Sequence, residues 1–142
     1  MTIDVSEAKL RFVKNTPTVL IIVDGSDRIR AVGTAIGRSL SDCKVVVMDA
    51  ADFAATDLLP ADACFIGCET PNPHGFAELV RVLKGINLAG RPCGLFSLDS
   101  AQSIEYLRST VRDADFRLNP VPYFADFSGD PGAWAADTLG RR

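Results

Sequence analysis

The amino-acid sequence predicts an α/β protein: a three-layer α/β/α sandwich on a five-stranded parallel sheet. Three observations carry that prediction. Short β-branched apolar runs alternate with stretches whose apolar residues recur every three or four positions. The runs are apolar at nearly every residue, as strands are when helices cover both faces of a parallel sheet. The length of 142 residues suits one such unit and leaves little room for a second. The composition, 47% hydrophobic and 23% charged, is that of a chain that folds rather than one that stays disordered.

The elements follow in order. Thr18 to Val23 is the first strand, closed by Asp24-Gly25-Ser26. Arg28 to Leu40 is amphipathic, with Ile29, Val32, Ile36 and Leu40 on one face. Gly33 and Gly37 on this helix are read as close packing against the sheet. Lys44 to Asp49 is the second strand, and Ala50 to Leu59 a weak helix or loop stopped by Pro60. Ala63 to Cys68 is the third strand. Gly75 to Lys84 is a helix with Phe76, Leu79, Val80 and Leu83 inward and Gly85 as its stop.

Cys93 to Ser97 is the fourth strand. Asp99 and Gln102 read as a capping box, opening a helix to about Asp113 with Ile104, Leu107 and Val111 inward. Phe116 to Phe124 contains Pro120 and Pro122, which lack ladder donors, so it is expected at a sheet edge. Asp130-Pro131 matches an N-cap followed by N1 of a last helix running to about Leu139. Residues 1–17 form an N-terminal extension to the domain at 18–142. Their apolar residues fit a strand period or, less well, a helix, for packing on the sheet edge or across a homodimer interface.

Charge and cysteine use narrow the function. Fifteen basic residues stand against 18 acidic ones, a net charge of -3 with no polybasic run, which disfavours nucleic acid. Val19 to Val23, the longest apolar stretch, is far too short to span a membrane. The first 17 residues carry Asp4 and Glu7 and lack the apolar core of a signal peptide, so a cytoplasmic location is expected. Cys43, Cys64, Cys68 and Cys93 are then reduced thiols. With no CxxC and one histidine, a zinc site of ordinary type is not expected. Cys64, Cys68 and Cys93 read as small core residues, with Cys68 at the ligand-facing end of its strand.

An open α/β sheet binds ligands at the carboxyl ends of its strands. The loops there are Asp24 to Arg30, Cys68 to His74, and Ser97 to Gln102, and they converge if the strand order is 2-1-3-4-5. At this point the chain resembles the flavodoxin-like family. Val19 to Ser26 resembles its first strand and phosphate loop. Asp62 to Pro71 resembles its D-x-x-x-x-G-x-P-T segment, and Ile86 to Pro92 its inLkGKk lead-in to the fourth strand. The resemblance spans about residues 18–139.

The resemblance implies FMN as cofactor, electron transfer or flavin-dependent reduction as activity, and a redox partner protein. It places the phosphate on Gly25, Ser26, Asp27 and Arg28. The ring then lies between Thr70, Pro71, Asn72 and His74 on one side and Ser97, Asp99 and Ser100 on the other. The sequence also departs from the family. The T-G-N-T core of the family's S-x-T-G-N-T loop is missing, and no aromatic residue follows the fourth strand. A second reading therefore stands beside the first: a flavodoxin-like domain that has lost FMN and acts as a binding or regulatory module. No catalytic residue is assigned. No GxGxxG, GK[ST] or nucleophile elbow is present. A phosphoacceptor receiver shares the topology, but Lys9, Lys14, Lys44 and Lys84 all lie away from the fifth strand, where that mechanism needs a lysine.

Overall fold

The computed structural model describes residues 16–141. The extension inferred for residues 1–17, with its strand-or-helix alternative, lies almost wholly outside the described residues. β1 (Thr18–Val23), β2 (Lys44–Asp49), β3 (Ala63–Gly67) and β4 (Pro92–Ser97) form one parallel sheet with β5 (Arg117–Leu118) and β6 (Tyr123–Phe124). The order is β2-β1-β3-β4-β5, with β6 also on β4. The central strands β1, β3 and β4 are buried on both faces, which is why they read as unbroken apolar runs.

The helices are α1 (Asp27–Ser39), α2 (Ala55–Leu58), α3 (Ala77–Gly85), α4 (Ala101–Val111) and α5 (Pro131–Thr138). One sheet face presents Leu20, Ile22, Cys64, Ile66, Cys93 and Leu95 to α3 and α4. The other presents Val19, Ile21, Val23, Phe65 and Phe96 to α1 and α5. Gly33 and Gly37 let α1 lie close. A methyl on Gly33 would stand 3.1 Å from Ile21 and Val23, and one on Gly37 2.9 Å from Val45.

The fifth strand is broken. β5 pairs with Pro92 and Cys93, and β6 with Phe96 and Ser97. Pro120 and Pro122 lie between them and have no N–H to give. α5 clamps the break: Trp134 Nε1 donates to the Val121 carbonyl at 2.7 Å, and Asn119 Nδ2 to Thr138 Oγ1 at 2.9 Å.

One local expectation needs correction. The N-cap of α4 is Ser100, not Asp99. Its hydroxyl accepts from the Ser103 amide at 3.1 Å, which moves Gln102 from N3 to N2 and leaves no capping box. Asp99 is exposed in the bend after β4, and helical geometry begins only at Ala101. α3 ends at Gly85, where the stop was read, and Ile86 turns extended. α4 ends at Val111; one 3-10 turn follows, and Asp115 takes the left-handed conformation at φ 64°. The Asp130–Pro131 start of α5 is as read, with Asp130 accepting from the Gly132 amide.

Candidate functional site

Three residues, Asp24-Gly25-Ser26, join β1 to α1. Gly25 has φ +87°, a conformation glycine adopts without strain. Ser26 is the N-cap: its hydroxyl accepts from the Ile29 amide at 3.4 Å. Its amide donates to Asp24 Oδ1 at 3.0 Å.

The loop after β3 closes onto this turn through Glu69. The Glu69 amide donates to Asp24 Oδ2 at 2.8 Å, so one carboxylate holds two loops. Ser26 Oγ donates to Glu69 Oε1 at 2.6 Å, and Arg28 Nη1 lies 3.6 Å from Glu69 Oε2. From the other side, Ser103 Oγ on α4 donates to the Glu69 carbonyl at 3.0 Å. Beside this cluster Arg30 pairs with Asp49 at 2.5 Å.

No family model and no curated protein sequence matches the chain. Solved structures do. A short-chain flavodoxin associated with a non-canonical PDU bacterial microcompartment superposes with a TM-score of 0.74 at 12% identity, covering 87% of this chain and 97% of that one. The fold is flavodoxin-like. Oxidised flavodoxin 2 from Bacillus cereus gives 0.72 at 17% identity, over 87% and 98% of the two chains. The Streptococcus pneumonia TIGR4 flavodoxin gives 0.71 at 14%, over 87% and 97%.

The pairing of β1 with β3 brings Glu69 to the first group of expected site residues. Gly25, Ser26, Asp27 and Arg28 lie at the start of α1, around Glu69. The second group follows Glu69 along the same loop. Thr70, Pro71 and Asn72 are exposed, and Asn72 has φ 54°. Asn72 and His74 line a recess of about 220 Å³ with Phe76, Val80 and Tyr106, between α3 and α4. In the third group Ser100 caps α4 and Asp99 is exposed, but Ser97 is fully buried. Its hydroxyl finds no hydrogen-bond partner.

An FMN phosphate fits this turn poorly. The flavodoxin-like loop S-x-T-G-N-T offers several amides and hydroxyls to a phosphate, whereas here the connection is three residues long. The Ser26 amide and hydroxyl already serve Asp24 and Glu69. The Arg28 guanidinium faces the Glu69 carboxylate, and Asp27 adds another negative charge in the first turn of α1.

Cys68 offers no reactive thiol. It is fully buried, and burial, then the Asp24 charge, push it up to about 12 despite the Ser103 hydroxyl. Burial likewise raises Cys64 to about 12 and lifts Cys93. All three are core residues, as read. Asp24, Glu69 and Ser103 are the site residues that the sequence reading did not assign. Asp24, two residues before Ser26, carries a local signal, since Asp side chains accept from the amide two residues on. Glu69 lies in the Cys68 to His74 loop read as ligand-facing, but no local pattern singles it out there, because its partners are 43 residues back and 34 ahead.

Proposed function

We propose that this chain is a flavodoxin-fold module that works by binding a partner and carries no flavin. The observation that supports this reading is the Glu69 carboxylate on the Ser26 hydroxyl, at the start of α1. By resemblance, that is where the fold would hold a flavin phosphate. Backbone amides at a helix N-terminus favour an anion. Here a carboxylate of the chain supplies the negative charge, and a phosphate dianion would meet Asp24, Asp27 and Glu69 together. The ring side points the same way: Ser97 is buried, and Asn72 and His74 open onto a recess between two helices.

The test is the absorption spectrum of the purified protein, before and after incubation with excess FMN and gel filtration. The expected protein is colourless and retains no flavin. A stoichiometric yellow complex would overturn the reading in favour of FMN-dependent electron transfer or reduction.

A further inference from the structure

Glu69 is held through its backbone and its side chain at once. Asp24 accepts from its amide and Ser103 donates to its carbonyl, so the backbone at this residue is tied to the β1–α1 turn and to α4. The tied backbone sets the Glu69 side chain off from a position within reach of Ser26 and Arg28. Its two oxygens are divided between these partners, Oε1 on the hydroxyl and Oε2 toward the guanidinium.

We propose that Glu69 is an internal anion that excludes external phosphate groups from this end of the sheet. This rests on the flavin-free reading above and names the residue that enforces it. An intramolecular carboxylate needs no translational entropy to reach its seat, whereas a free anion must surrender its own. Arg28 and Ser26 are half of a phosphate-binding set whose acceptor is built in. Removing that acceptor leaves a hydroxyl donor and a guanidinium facing a space that an inorganic anion can enter.

The experiment compares wild type, Glu69→Ala, Glu69→Gln and the double variant Glu69→Ala/Arg28→Ala. Each is melted in chloride and in inorganic phosphate at matched ionic strength, and phosphorus-31 linewidths are followed in parallel. Glu69→Ala is expected to melt below wild type and to regain stability in phosphate. At about ten times the dissociation constant the gain in Tm is about 3–6 °C. Wild type should show neither a phosphate-specific shift nor phosphorus line broadening, and Glu69→Gln, which fills the seat without the charge, should respond more than wild type and less than Glu69→Ala. The double variant should lose the response.

An equal phosphate shift in wild type and Glu69→Ala would overturn the proposal. So would a Glu69→Ala protein that phosphate neither stabilises nor broadens. If Glu69→Ala does not melt cooperatively, Glu69→Ser takes its place under the same two criteria. FMN retention by wild type would overturn the flavin-free reading itself. An unresponsive Glu69→Ala protein overturns only the role given to Glu69.

Discussion

Phe96 lies across Gly67. The two residues are paired neighbours on β4 and β3, and a methyl group on Gly67 would collide with three atoms of the Phe96 ring. The ring is fully buried, so it has nowhere to swing. Gly67→Ala should therefore destabilise the protein by about 1–3 kcal/mol through overpacking. Urea denaturation would measure it. A midpoint unchanged from wild type would show that the ring can yield.

The four thiols should divide three to one. Cys64, Cys68 and Cys93 are buried, while Cys43 is partly exposed. Its thiol is itself raised, mainly by burial, but solvent reaches it. A thiol reagent at pH 8 should label Cys43 alone in the native protein and all four in denaturant. Mass spectrometry of the labelled peptides checks the assignment.

Stability should fall on the alkaline side. Cys64, Cys68 and Cys93 ionise near 9 when unfolded and well above that when folded. Above pH 9 the unfolded chain thus binds fewer protons than the folded one, and unfolding becomes easier as pH rises. The thiols contribute fully below about pH 9 and lose that contribution progressively toward pH 12. The limiting slope is about 1.4 kcal/mol per pH unit for each thiol. Burial also raises Tyr106 and Tyr123, which adds to the decline above pH 10. Denaturant melts at pH 7.5, 9 and 10 would show a flat region and then a descent.

Asp24 should matter more than its half-exposed position suggests. It accepts from the amides of Ser26 and Glu69, which lie 43 residues apart in sequence. Asp24→Ala leaves both donors without that partner, at a cost of about 1–3 kcal/mol. Hydrogen exchange at Ser26 and Glu69 should accelerate together. Acceleration at one amide only would mean that the loops are held independently.

The sequence carried the sheet because the central strands are buried on both faces, and the strand order followed from the flavodoxin-like resemblance. Val19 to Val23 and Ala63 to Ile66 have no polar face, and no other local structure suits such short, flanked runs. It carried the break at Pro120 and Pro122 only as an edge, since a missing donor does not say whether a strand skips or stops. The capping of α4 was misplaced by one residue because Asp99 and Ser100 are both good caps, and the geometry of the turn decides between them. The site was legible where it is local. The Gly25–Arg28 turn follows from a strand end, a glycine and an N-cap serine. Glu69 was not legible as a site residue, because its role is set by tertiary contacts across the sheet.

The interrupted fifth strand makes the two rims of the sheet unequal. On the β5/β6 rim, two prolines and the Trp134 clamp leave no continuous ladder for another chain to copy. On the β2 rim, six consecutive residues pair only with β1 among the described strands, and Val46 is 41% exposed. Among the described residues, self-recognition through backbone hydrogen bonds has one direction open to it. If the molecule misassembles, it should grow from β2, and a proline at an outward-facing position of that strand should stop it.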